Sequence, residues 1–225
     1  MKCMLLAAGL GERLRPITDK IPKPLVKVAG KPLIEYHLEN LRSAGFKEVV
    51  INLSHFGEMI QEQLGDGTKY DIEIMYSQEG PQPLETAGGI INALPLLGDK
   101  PFLVINADIW CNHSLSIANL SSNKQAHLVL VDNPKHNLNG DFAYEFGKVY
   151  NTGNNFLTFS GIGIYDPKLF EHQNTGKLAL APILRNSIDK GLVSAEYFTG
   201  KWFDIGTQER LAEADTFVST ALGRH

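Results

Sequence analysis

Short apolar runs separated by amphipathic stretches constrain the fold of this chain most. Met1 to Ala8, Glu48 to Leu53, Pro101 to Asn106 and Ala126 to Val131 each have the length of a strand and little polar alternation. Strands buried on both faces read this way when they lie in a largely parallel sheet covered by helices. Between them the period changes to that of a helix. Behind Pro32, which suits a first helical turn, Ile34, Leu38 and Leu41 recur at helical spacing as far as Gly45. Further helices are expected over Gly57 to Leu64, Thr86 to Leu94, Leu178 to Lys190 and from Thr207 onward. Strands are expected over Asp71 to Tyr76 and over Phe156 to Tyr165, the latter interrupted at Ser160-Gly161-Ile162-Gly163. The pattern predicts an α/β fold with helices on both sides of a central mixed, mainly parallel sheet.

A length of 225 residues suits one domain spanning 1–225. The periodicity weakens between Asn133 and Asn155, where hairpins or a small insertion over the sheet, near 133–165, are expected. A net charge of −4 without any basic run argues against nucleic acid or an anionic membrane as partner. The first eight residues are apolar apart from Lys2, but glycines and further charges follow at once. No leader or membrane span is therefore expected, and the cytoplasm is the expected location. A monomer or weak homo-oligomer is expected. Cys3 and Cys111 fit no zinc or redox spacing, and the seven histidines show no metal-ligand spacing.

The segment from Gly9 to Pro24 is long for a connection inside a compact domain, and such loops are often functional. It fails two phosphate signatures. Leu14 stands where the dinucleotide fingerprint needs its third glycine, and no Gly-Lys-Ser/Thr ends a P-loop. Gly9 and Gly11 still allow backbone N–H groups to approach an anion, with Arg13 and Arg15 beside them. A solvated turn is the alternative. Pro22 and Pro24 bracket Lys23 and are expected to present it from a stiff, extended segment.

Three ordered motifs carry a resemblance. Leu6-Ala-Ala-Gly9-Leu-Gly11-Glu-Arg13-Leu-Arg-Pro16, then Pro22-Lys23-Pro24-Leu25, then Gly30-Lys31-Pro32-Leu33-Ile34 resemble the sugar-1-phosphate nucleotidyltransferases. The likeness extends to Trp202-Phe203-Asp204-Ile205-Gly206-Thr207 and so covers nearly the whole chain. Glu12 departs from the Ser or Thr of many members. Leu84-Glu85-Thr86-Ala87-Gly88-Gly89-Ile90 and Thr158-Phe159-Ser160-Gly161-Ile162-Gly163 are most similar to the branch that uridylylates N-acetylmuramic acid 1-phosphate in bacterial cell-wall recycling. Guanylyl transfer to mannose 1-phosphate is the alternative.

The resemblance implies a Rossmann-like three-layer sandwich, with a nucleoside triphosphate and a sugar 1-phosphate as substrates and Mg2+ as cofactor. It implies that Gly9, Gly11 and Arg13 embrace the triphosphate, that Lys23 contacts the phosphates at the reacting centre, and that Asp108 and Asp204 hold the metal. Taken singly, Asp108 reads first as a helix-cap or turn residue, and Asp204, with Gly206 following, reads equally as a turn residue. For the nucleotide, Ala7 and Ala8 offer backbone, Gln78 could donate and accept at a uracil edge, Gly88 permits close approach and Asn106 is a contact. The alternatives are an exposed strand-end Gln78, an ordinary turn glycine at Gly88 and a loop-shaping Asn106. Glu85, Asp141, Glu145, Ser160 and Gly161 are the sugar candidates, with a helix start for Glu85 and a bulge for the Ser-Gly pair as alternatives. Trp202 and Phe203 are expected in the core. A non-catalytic binding module and a nucleotide-sugar-dependent glycosyltransferase compete with this reading, the second weakened by Asn106-Ala107-Asp108 where an Asp-x-Asp would stand.

Overall fold

The computed structural model describes residues 1–80, 82–115 and 120–223. Strands β1 (Cys3–Leu6), β2 (Lys27–Val28) and β3 (Lys31–Pro32) lead into helix α1 (Leu33–Ser43). Then come β4 (Glu48–Leu53), α2 (Gly57–Leu64), β5 (Glu73–Gln78), α3 (Glu85–Leu97), β6 (Phe102–Asn106) and β7 (Ile109–Cys111). The second half runs β8 (Ala126–Val131), β9 (Phe142–Glu145), β10 (Lys148–Tyr150), β11 (Phe156–Tyr165), α4 (Leu180–Asp189), β12 (Val193–Tyr197), β13 (Trp202–Asp204) and α5 (Gln208–Ala221).

Among the described residues one nine-stranded mixed sheet has the order β5-β4-β1-β6-β11-β8-β12-β10-β9. β5, β4, β1 and β6 run parallel, as β8 and β12 do, while β11 runs antiparallel between β6 and β8. Alternate residues of β1 point to opposite faces, and each face has its own core. Cys3 and Leu5 pack with Ile34 and Leu38 of α1 and Ile60 and Leu64 of α2. Met4 packs with Ile90 of α3 and with Ile183 and Leu184 of α4. This is the expected three-layer sandwich. Its layering follows from strands whose two faces are both apolar.

The chain leaves β1 for β4 and β5 on one side, then returns to place β6 on the other. The strand order therefore reverses at β1 and β6, and a crevice opens beyond their carboxyl ends. Open α/β sheets bind ligands there. Both ends carry candidate residues: Leu6 leads into Ala7-Ala8-Gly9, and Asn106 into Asp108.

Three local expectations differ from the structure. The strand expected from Asp71 starts at Glu73, because Asp71 adopts φ +55 in a turn. Lys23 opens a short 3-10 turn, Lys23–Leu25, instead of lying extended. Pro24 fits that first turn because no backbone donor is needed there. The interruption expected in Phe156–Tyr165 is a bulge inside one continuous strand, where the register against β8 shifts between Phe159 and Gly163. The stretch 133–165 adds β9, β10 and β11 to the main sheet, with β9 also pairing β11. Among the described residues no helix is long and apolar enough to cross a membrane.

Candidate active site

Gly11 sits at φ +66 with its carbonyl accepting from the Thr18 hydroxyl at 2.8 Å. A Cβ there would stand 2.9 Å from Thr18 Cγ2, so only glycine lets the loop close on itself. The fold of Gly9–Pro24 therefore comes from short 3-10 turns, Glu12–Leu14 and Ile17–Asp19, that return the chain to Lys23. Lys23 is buried, and its Nζ lies 2.5 Å from Asp108 Oδ2.

The crevice has two connected parts. The first, about 190 Å³, is lined by Ala7, Ala8, Gly9, Lys23, Glu85, Asn106 and Asp108, together with Asn52 and Glu79. The second, about 360 Å³, shares Asn106 and Asp108 and adds Arg13, Asp141, Ser160 and Asp204. The aspartates come together because β13 pairs β7, with Asp204 opposite Ile109, and because Ile205 N donates to the Asp108 carbonyl at 2.9 Å. Asp204 Oδ2 accepts from Arg210 Nη1 at 2.6 Å and lies 3.2 Å from His136 Nε2. Each carboxylate thus already faces a cation.

Asn106 packs over Gly161, where φ is +84 and a Cβ would come within 2.7 Å of the Asn106 amide nitrogen. Gly161 therefore shapes the crevice by what it lacks. Ser160 is buried. Its hydroxyl accepts from Ile162 N at 3.2 Å, and its carbonyl accepts from Trp202 Nε1 at 2.9 Å. Trp202 lines the crevice, while Phe203 packs with Trp110 and Phe217. Asp141 accepts from Phe159 N at 2.8 Å and from Asn137 Nδ2 at 3.2 Å. Glu85 opens α3 at φ +61 and pairs with Lys177 at 3.4 Å.

Three candidates lie elsewhere. Gln78 is exposed at the end of β5, with its carbonyl taken by Asn92. Gly88 is buried inside α3, where a Cβ would meet the Gly176 carbonyl at 2.2 Å, so its close approach is to the chain itself. Glu145 lines a separate groove beside Phe146 and Tyr150.

The sequence reading missed Asn52, Glu79, His136 and Arg210. Asn52 Oδ1 accepts from Ala7 N at 2.7 Å, and its Nδ2 donates to Glu79 Oε1 at 2.5 Å. Glu79 Oε2 accepts from Leu84 N at 2.8 Å. This relay fixes the Ala7 backbone and the entry to α3 together. Asn52 was visible as one polar side chain within Glu48-Val-Val-Ile-Asn-Leu53. His37 lies fully buried in α1. Burial holds its pKa down at about 4, against the opposing effects of a bond to the Ile109 backbone and the Asp108 charge. Its Nε2 has no hydrogen-bond partner among the described residues. Among the described residues no group of three or more His, Cys, Asp or Glu could hold a metal ion. His225 lies outside the described residues.

Residues 2–144 match the nucleotidyl transferase family. The chain belongs to that family. It is 49% identical to the N-acetylmuramate alpha-1-phosphate uridylyltransferase of Neisseria meningitidis, with 97% of this chain and 98% of that protein covered. To the protein of the same description from Caulobacter vibrioides it is 30% identical, over 94% and 97%. A solved structure of a putative glucose-1-phosphate thymidylyltransferase from Bacillus anthracis shares the fold with a TM-score of 0.84. It does so at 21% identity, with 100% of this chain and 95% of that one covered. The motifs from Leu6 to Ile34 thus belong to the family they resemble.

Proposed function

We propose that this enzyme transfers the uridylyl group of UTP to N-acetylmuramic acid 1-phosphate, releasing pyrophosphate, with Mg2+ as cofactor, in the cytoplasm. Two aspartates and a buried lysine converging on the switch-point crevice carry the reading. Likeness to two uridylyltransferases over nearly their full length favours the uracil base and the acidic sugar. No basic surface run invites nucleic acid, and a monomer or weak homo-oligomer suffices for a crevice built within one chain.

The nucleophile is a phosphate oxygen of the sugar 1-phosphate, already anionic at neutral pH. It forms a bond to the α-phosphorus of UTP as the α–β phosphoanhydride bond breaks, and pyrophosphate leaves with the electron pair. No proton must be removed. The obstacle is the meeting of two polyanions, so positioning and charge neutralisation carry the catalysis. Arg13 grips triphosphate oxygens from its exposed loop, and Lys23 places a compact positive charge at the reacting centre. The Ala7, Ala8 and Gly9 backbone lines the nucleotide half of the crevice, beside Asn106. Asp141 and the Ser160-Gly161 backbone face the sugar half, while Glu85, also expected at the sugar, lines the nucleotide half.

Magnesium fits the donor set: it takes few protein carboxylates and completes its shell with phosphate oxygens and water, as the pair Asp108 and Asp204 allows. When bound it neutralises charge on the phosphate oxygens.

A pyrophosphate-release screen should test four triphosphates against a panel of sugar 1-phosphates, with and without magnesium. Release with UTP and N-acetylmuramic acid 1-phosphate is expected. Preference for GTP with mannose 1-phosphate would keep the chemistry and overturn the substrate. Nucleotide-sugar binding with no release from any pair would overturn the enzyme reading.

A further inference from the structure

Beside Asp204 a pocket of about 470 Å³ opens between the start of α5 and residues 134–136. It shares Arg13, His136, Trp202 and Asp204 with the sugar half of the crevice, so a ligand with its phosphate near Asp108 reaches it directly. Of its lining, the chemistry assigned above uses only Arg13 and Asp204. Its inner wall is the Arg210 guanidinium, whose side chain is only 14% exposed. Nη1 donates to Asp204 and, at 2.8 Å, to His136 Nε2, while Nε reaches the Thr207 hydroxyl at 3.4 Å.

Gly206 makes this placement possible: a Cβ there would stand 2.1 Å from Nη2. Nη2 itself makes no hydrogen bond among the described residues. Lys135, exposed at the pocket mouth, forms no salt bridge among them, and neither does Arg13. Glu209 and Glu213 also line the pocket, but both are exposed on α5. The pocket therefore offers two donors without a carboxylate partner among the described residues, Lys135 Nζ and Arg210 Nη2, beside the exposed carboxylates of Glu209 and Glu213.

A neutral hexose offers hydroxyls and has no need of such a wall. A sugar bearing a carboxylate does, because a carboxylate leaving water requires charged donors. We propose that this pocket receives the carboxylate of an acidic sugar 1-phosphate, and that Arg210 and Lys135 distinguish that sugar from its neutral counterpart. The inference rests on the nucleotidyl-transfer reading above and adds to it the residues that select the sugar. Arg13 belongs to the triphosphate, which leaves Lys135 and the free edge of Arg210 for the carboxylate. Asp204, His136 and Thr207 hold Nη1 and Nε of Arg210, which fixes the guanidinium and leaves its Nη2 N–H groups for the carboxylate.

The test compares kcat/KM for N-acetylmuramic acid 1-phosphate with that for N-acetylglucosamine 1-phosphate, the same sugar without the lactyl carboxylate, at saturating UTP and magnesium. Lys135→Gln is a surface change that leaves the fold intact. Arg210→Lys keeps the charge beside Asp204 and removes the fork. In wild type the acidic sugar is preferred. In each variant that preference falls roughly tenfold, through a higher KM for the acidic sugar, as loss of one charge-assisted contact requires. Wild-type preference that survives both substitutions would overturn the pocket assignment while leaving the function standing. A wild-type enzyme that turns over only neutral sugars would overturn the substrate reading and the pocket with it.

Discussion

Lys23 Nζ and Asp108 Oδ2 stand 2.5 Å apart, joining the turn that ends the first glycine loop to the residues that follow β6. The pair brings together two residues 85 positions apart at the point where the strand order reverses. The lysine is buried while the aspartate side chain is 34% exposed, so the pair has a wet side open to a ligand.

Replacing Lys23 with Ala leaves Asp108 without its partner and removes the charge proposed to act at the reacting centre. We expect kcat to fall by roughly 10²–10³. Lys23→Arg should not restore it, because a buried site that seats a compact ammonium 2.5 Å from Asp108 would have to take a longer, planar guanidinium. Single-turnover rates check this. A loss confined to KM for UTP would place Lys23 in binding alone.

Removing the divalent cation with a chelator should abolish turnover, and added magnesium should restore it. Asp204→Asn should raise the magnesium concentration needed for half-maximal rate at least about tenfold, since Mg2+ binding depends on few protein carboxylates. A magnesium titration of wild type and variant measures this. An unchanged midpoint would remove Asp204 from the metal site.

The fold of the crevice was legible where one side chain or one strand decides it. The apolar runs foretold β1, β4 and β6, and the prolines around Lys23 marked it out. Asn52 and Glu79 were not legible as a pair, because their meeting depends on β4 lying beside β1 with Leu6 opposite Asn52. The choice between Gln78 and Glu79 turns on where β5 ends. Neighbouring strand residues point to opposite faces, so a small shift in strand bounds exchanges the exposed residue for the inward one. Arg210 was hidden for another reason: its contact with Asp204 crosses from β13 to the first turn of α5.

The Asn52 relay predicts a separable phenotype. Asn52→Leu strands the Ala7 N–H and frees Glu79, which costs about 1–3 kcal/mol of stability for the buried polar groups left unpaired. The KM for UTP should rise more than kcat falls, because the relay holds the nucleotide side of the crevice. Thermal unfolding beside steady-state kinetics checks both parts.

His37 predicts how stability responds to acid. Its folded pKa of about 4 lies below the ordinary 6.5, so the unfolded chain takes the proton first as pH falls. The contribution is complete above pH 6.5 and is lost progressively down to about pH 4. Melting temperatures of wild type and His37→Leu should therefore draw together, or cross, over that interval. Parallel curves would show that His37 does not titrate there.

The most direct measurement follows the label from UTP carrying radioactive phosphorus at the α position, incubated with N-acetylmuramic acid 1-phosphate, magnesium and the enzyme. Attack at the α-phosphorus predicts label in a uridine diphosphate sugar and unlabelled pyrophosphate in equal amount. Label that remains in UTP, or that appears in UMP or UDP without a nucleotide sugar, would contradict nucleotidyl transfer to this sugar.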